Sequence, residues 1–334
     1  MAESDLRSPL LQVQDLQVRL PTARGWASAL RGVSFELARG ETMGLIGESG
    51  CGKSLTALAL MGLLPERAQV SGSIRLQGAE LVGLDDAQMC RLRGSRMAMV
   101  FQEPMTALNP LHTIGRQIAE PLQLHQGLNA SQARDRAIEL LERVQLPRAR
   151  ERLQAYPHQL SGGQRQRVMI SIALACSPDL LIADEPTTAL DVTVQKEVLD
   201  LIRQLVHEEG MGLLLISHDL GLMQDQVERV MVMYGGQCVE SAATEELFAQ
   251  RAHPYTRALF AARPRLGMAR GQRLPALAGQ VPELIDLPTG CPFSDRCAVS
   301  VADCAREAPV AEIIPSRVSA SVEHRVSCPR WRLG

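Results

Sequence analysis

The chain has 334 residues, enough for one large domain with an appendage or for two modest domains. Hydrophobic residues make up 46% and charged residues 22%, as in an ordinary globular protein, and a formal net charge of -2 argues against a sequence-independent nucleic-acid binder. Aromatic residues are only 3%, so the core must be built mainly from aliphatic side chains.

From the amino terminus, Met1 to Asp5 lack the basic region and apolar stretch of a signal peptide. No apolar run approaches the roughly 20 residues that span a bilayer. The chain is therefore expected to stay in the cytoplasm and to meet a membrane only through partners. Alternating segments at Leu11–Gln14 and Leu16–Leu20 predict strands. Gly40-Glu41 is a turn, Thr42–Ile46 a short apolar strand, and Ser54–Leu64 a helix. Ser71–Gln77 alternates as a strand does, Asp85–Arg96 predicts a short polar helix, and Ala98–Phe101 a strand. From Ile114 to Tyr156 the period becomes helical, with Ile138, Leu141 and Val144 on one face, and reads as a helical insertion. Leu180–Ala183, Leu213–Ile216 and Arg229–Met233 predict buried strands, and Val194–Glu208 an amphipathic helix. Strands alternating with helices predict an α/β core with a largely parallel sheet. Beyond about Phe260 proline and glycine become frequent, from Pro264 through Pro292 and again at Pro309 and Pro315, so a boundary is expected there. No internal repeat is visible, so one such core is expected, not two.

Gly47-Glu48-Ser49-Gly50-Cys51-Gly52-Lys53-Ser54 fits G-x-x-x-x-G-K-[ST] between a predicted strand and a predicted helix. The glycines let backbone N–H groups close around phosphates, and the helix N-terminus favours negative charge there. Lys53 is one of only two lysines among 35 basic residues, the other being Lys196. A compact ammonium reaches the β- and γ-phosphates where a guanidinium fits badly, and Ser54 is expected to hold Mg²⁺. Leu180-Leu181-Ile182-Ala183-Asp184-Glu185 is an apolar strand ending in two acids. Beside a phosphate loop, Asp184 suits the magnesium and Glu185 the attacking water. Leu160-Ser161-Gly162-Gly163-Gln164 precedes an apolar helix and is an anion site by the same backbone logic; standing alone, such a turn is usually just flexible.

In order and rough spacing, Gly47–Ser54, Gln102, Leu160–Gln164, Asp184-Glu185, Ala189-Leu190-Asp191 and His218 resemble the ABC ATPase family over about residues 10 to 250. The Ser161 signature loop separates that family from other P-loop ATPases. The resemblance implies a P-loop NTPase (RecA-like) α/β core with a small antiparallel β lobe, a helical lobe at about 103–160 within a nucleotide-binding domain of residues 8–260, and a C-terminal extension at 261–334. It implies that Gln102 touches magnesium or water, that Ser161, Gly162, Gly163 and Gln164 meet the γ-phosphate held by an opposing cassette, that Asp191 organises the dimer interface, and that His218 contacts the γ-phosphate. An aromatic near the cassette start stacks on adenine in the family; Trp26 is the nearest candidate, either for stacking or for ordinary packing. The cofactors implied are ATP and Mg²⁺. Since one site needs the loops of two cassettes, a second ABC ATPase chain is implied, this chain's own copy or a sister.

Glu103-Pro104-Met105-Thr106-Ala107-Leu108-Asn109-Pro110, His253-Pro254-Tyr255-Thr256 and the cysteine-bearing tail resemble the oligopeptide/dipeptide importer branch. That implies two membrane permease subunits, an extracytoplasmic solute-binding protein, no nucleic acid, and a peripheral place on the cytoplasmic face of the bacterial inner membrane. Nickel and glutathione importers share this architecture. Cys291-x5-Cys297-x6-Cys304-x23-Cys328 offers four thiols for a [4Fe–4S] cluster or a structural zinc, or for packing as reduced thiols. The branch resemblance implies the cluster. A soluble ABC ATPase of DNA repair or translation usually carries paired cassettes or long coiled-coil insertions, and neither is visible. An inactive scaffold cassette would have degenerate motifs, and these are intact.

Overall fold

The computed structural model describes residues 9–188, 190–262, 277, 279–318 and 322–333. The Met1–Asp5 stretch, Ala189 and much of the proline-rich run after Pro264 lie outside the described residues.

The chain opens with a long hairpin of β1 (Leu11–Thr22) and β2 (Gly25–Leu37). The two alternating segments of β1 run on as one strand. The register shifts between Val13 and Leu16, where Asp15 takes a φ of 47° and its N–H donates to Ser34 Oγ at 2.8 Å. β3 (Thr42–Ile46) leaves this lobe for the central sheet, and α1 (Lys53–Leu60) follows it. α1 stops short of the predicted Leu64 because Gly62, at φ 61°, turns the chain so that the Leu63 N–H reaches the Leu58 carbonyl at 2.8 Å. β4 (Gln69–Leu76) and β5 (Ala79–Glu80) complete an antiparallel sheet of order β2-β1-β4-β5.

The central sheet adds β6 (Met97–Val100), β7 (Leu180–Asp184), β8 (Gly212–Ser217), β9 (Arg229–Tyr234), β10 (Gln237–Ala243), β11 (Glu312–Ile314) and β12 (His324–Val326). Its order is β11-β12-β10-β9-β3-β8-β7-β6, with β9 through β6 parallel and the other edge antiparallel. Alternate residues of the parallel strands enter two different cores. Leu181, Ala183, Leu213, Leu215, Val230 and Val232 pack toward the helical side, while Leu180, Ile182, Leu214, Ile216, Met231 and Met233 pack toward α1 and the β lobe. Burial on both faces is why these strands are unbroken apolar runs.

Helices cover the sheet and build the insertion: α2 (Asp86–Leu92), α3 (Pro104–Ala107), α4 (Ile114–Gln126), α5 (Ala130–Arg143), α6 (Ala149–Arg152), α7 (Gly162–Ala173), α8 (Val192–Glu209), α9 (Leu220–Met223), α10 (Thr244–Ala249), α11 (Pro254–Ala261) and α12 (Ala302–Arg306). The helical stretch predicted from Ile114 is divided by local signals. Gly127, at φ 66°, ends α4, and Asn129 with Gln132 forms a capping box that starts α5. In the tail, β12 returns to pair with β10 and β11 pairs with β12, so part of the chain beyond 261 belongs to the central sheet. No helix among the described residues is long and apolar enough to cross a membrane.

Candidate functional site: a phosphate loop facing an anchored carboxylate

The loop between β3 and α1 can only be traced by glycine at its tightest points. Gly47 has a φ of 152°, and a Cβ there would fall on the Met233 carbonyl; Gly52 has a φ of 105° at the start of α1. Lys53 is only 5% exposed and folds back over the loop. Its Nζ donates to the carbonyls of Gly47 at 2.8 Å and Glu48 at 3.0 Å, with Cys51 Sγ 3.7 Å away. The ammonium is thus fixed at the centre of the loop, where phosphate oxygens would take over its contacts.

β7 delivers the two acids from the neighbouring part of the sheet. Asp184 Oδ1 accepts from Ser54 Oγ at 3.0 Å, so the hydroxyl and the carboxylate share one spot. Burial pushes the Asp184 carboxyl above its ordinary range; the Ser54 hydrogen bond opposes this, the Glu185 charge adds to it, and the Lys53 charge opposes it. Glu185 sits just past the strand with φ 45°, its N–H bonded to the Ile216 carbonyl at 2.9 Å. A non-glycine residue in this region carries about 1–3 kcal/mol of strain. The turn aims its side chain at three partners: Gln102 Nε2 at 3.0 Å, Thr188 Oγ1 at 3.1 Å and His218 Nδ1 at 3.1 Å, all from Glu185 Oε2. Gln102 follows β6 and His218 follows β8, so three adjacent parallel strands bring these groups together at their carboxyl ends. Sequence reasoning missed Thr188; its place three residues after Glu185 was the available signal.

One cavity lies over the loop, lined on its polar side by Ser49, Lys53, Ser54, Gln102 and Glu185. Ser161–Gln164 do not line it. Ser161 instead caps α7: its Oγ accepts from the Gln164 N–H at 3.4 Å and Gln164 Oε1 accepts from the Ser161 N–H at 3.1 Å. Asp191 caps α8 by accepting from the Val194 N–H at 3.1 Å. A Cβ on Gly163 would come within 2.9 Å of Val194 Cγ1, and one on Gly162 within 3.3 Å of Leu190 Cδ2, so the signature turn and the Asp191 turn share one face. Ser161, Gly162 and Asp191 are exposed on that face.

With this geometry in view, known proteins give a consistent answer. The sequence profile described as ABC transporter matches residues 30–188, and that described as oligopeptide/dipeptide transporter, C-terminal region, matches 239–304. A putative peptide import ATP-binding protein of Brucella abortus is 49% identical over 313 residues, covering 93% of this chain and 94% of the relative. The chain belongs to the ABC transporter ATP-binding family. The oligopeptide transport ATP-binding protein OppD of Mycobacterium tuberculosis is 47% identical over 98% of this chain; the chain spans about half, 52%, of that relative's length. Among solved structures, the dimeric post-hydrolysis state of the ATP-binding cassette MJ0796 bound to ADP and Pi superposes with a TM-score of 0.64 at 27% identity, over 70% of this chain and 98% of that one.

The cassette's phosphate loop is also gripped from the C-terminal side, which sequence reasoning did not foresee. The Glu48 N–H donates to Tyr255 Oη at 2.8 Å, and Arg296 binds both Glu48 carboxylate oxygens, at 2.7 and 3.1 Å. Trp26 does not line the cavity above the loop. It is 42% exposed, with the Arg19 guanidinium 5.6 Å from its ring centre. The four tail cysteines line a second cavity together with His253. Burial pushes the Cys291 thiol up to about 11, and the neighbouring Cys328, Cys297 and Cys304 add to that shift. Among the described residues no group of three or more His, Cys, Asp or Glu side chains is placed to hold a metal ion.

Proposed function

We propose that this chain is the ATP-hydrolysing subunit of an importer of dipeptides or oligopeptides. The observation that carries the reading is the Glu185 carboxylate, gripped by Gln102, Thr188 and His218 beside a glycine loop centred on Lys53. Gly47 to Ser54, with Glu48, Ser49, Gly50, Cys51 and Gly52 between them, cradle the triphosphate through backbone N–H groups, and Lys53 neutralises the β- and γ-oxygens. Glu185 orients water for in-line attack and takes its proton; His218 and Gln102 hold that carboxylate and meet the γ-phosphate side of the site. Ser54 and Asp184 offer adjoining oxygen donors suited to a hard cation, so they would hold Mg²⁺, which supplies charge neutralisation on the phosphates.

Residues 8–260 act as the nucleotide-binding unit, with the helical lobe at about 103–160 facing the permeases, and residues 261–334 as an extension that lends β11 and β12 to the central sheet. Ser161, Gly162, Gly163, Gln164 and Asp191 complete the site of a second ATPase chain, and two permeases with an extracytoplasmic solute-binding protein complete the importer at the cytoplasmic face of the membrane. The relatives' names, oligopeptide transport and peptide import, support peptides over nickel or glutathione as cargo. The four thiols line one cavity, and this shared placement is what supports an iron–sulfur cluster there. Iron and sulfide assays on anaerobically purified protein test that part; the absence of both removes it.

Glu185→Gln tests the core of the proposal. In the assembled transporter it is expected to bind ATP normally while hydrolysis and peptide uptake fall about 10²–10⁴-fold. Turnover near the wild-type rate would remove Glu185 from its role.

A further inference from the structure

The cavity over the phosphate loop is lined by two kinds of side chain. Lys53, Ser54 and Glu185 are polar or charged, while Leu20 from β1, Ala29 from β2 and Leu284 from the C-terminal segment are apolar. We infer that Leu284 is a base-contact residue of the nucleotide site, an aliphatic wall supplied by the extension and not by the cassette. The inference rests on the ATP-site reading above and names the residue that reads the purine. A nucleoside triphosphate whose phosphates lie on Lys53 must direct its base away from the ammonium, and the apolar lining is where a flat, weakly hydrated ring gains from leaving water.

Leu284 is held at this position from both sides. Arg24, in the turn between β1 and β2, donates to Asp286 at 2.8 and 2.5 Å and to Glu283 at 3.2 Å, bracketing Leu284 in sequence. Farther along, Arg31 Nη2 donates to the Pro288 carbonyl at 2.9 Å, and a Cβ on Gly235 would lie 2.6 Å from Pro292 Cβ. The strap then ends at the Arg296–Glu48 pair on the phosphate loop itself, at 2.7 Å. The segment thus runs from the β-lobe hairpin to the triphosphate seat, with Leu284 facing the space between. Leu284 also lines the adjoining recess with Ala27, so its side chain is the shared wall of the two spaces.

The test is equilibrium binding of Mg-ATP and of inorganic tripolyphosphate, which has no base, to the full chain and its variants. Leu284→Asp is expected to weaken ATP about tenfold or more while tripolyphosphate binds as before, and Leu284→Met to restore ATP. Arg24→Ala, which frees the bracketed segment, is expected to show the same base-dependent loss in smaller measure. Unchanged ATP affinity in Leu284→Asp, or equal loss of both ligands, would overturn the inference while leaving the ATP site in place. If the wild type binds tripolyphosphate or nothing at all, but not ATP, the ATP reading falls first and this inference with it.

Discussion

Glu185 shows how a single side chain can be fixed in place by unrelated parts of the chain. Its backbone is turned into a region that few non-glycine residues occupy, and Gln102, Thr188 and His218 converge on one of its oxygens. The three contacts are not equivalent. His218 is a solvent-facing group that can meet substrate, whereas Thr188 is half-buried and donates to the carboxylate, which suits it to aiming that group. Thr188→Ala is expected to lower kcat several-fold, about the worth of one hydrogen bond, with KM for ATP unchanged. His218→Ala is expected to cost about 10²-fold or more, as loss of a group meeting developing charge does. Steady-state ATPase assays on both variants check the ranking, and equal losses would mean that both residues only position Glu185. Gln102, Glu185 and His218, which the fold brings into contact, could be singled out in the sequence because each lies in a motif whose spacing has a mechanical reason. Thr188, Tyr255 and Arg296 could not, since a threonine, a tyrosine and an arginine carry no signal until the fold brings them to the loop.

At the scale of elements, local chemistry set the boundaries and long-range pairing supplied what was missed. The parallel strands were readable as apolar runs because both faces are buried, and helix ends followed glycine and capping residues such as Gly62, Gly127 and Asn129. β11 and β12 are only three residues each, and β12, on which β11 pairs, depends on a strand more than 80 residues away, so no local pattern announces them. Their anchor is polar. His324 on β12 is fully buried between two acids, with Nε2 2.8 Å from Glu240 Oε1 and Nδ1 3.6 Å from Glu246 Oε1. Glu240 also accepts the N–H groups of Ala252 and His253 at 2.7 and 2.9 Å, tying the same network to the start of α11. His324→Ala deletes the group common to both acids. It is expected to cost about 3 kcal/mol, the order found when one partner of a buried pair is removed. Urea unfolding should show a lower midpoint, and limited proteolysis an earlier cut near β12; an unchanged midpoint would place the tail's anchorage elsewhere.

For the whole molecule, the division of labour between two faces is the main consequence of the fold. The phosphate loop, Glu185 and His218 open at the carboxyl ends of the parallel strands, while Ser161, Gly162 and Asp191 form an exposed face of capped helix starts outside that cavity. On the proposed reading these are two backbone anion sites set apart on one chain, and they call for a partner that offers the complementary one. The most direct test is photocleavage of the assembled transporter trapped with Mg-ADP and orthovanadate. Vanadate takes the place of the γ-phosphate and, on ultraviolet irradiation, cuts the backbone it touches. This chain is expected to be cut at two places, within residues 47–54 and within 161–164. Cutting at 47–54 alone, with the signature turn intact in the trapped complex, would contradict it.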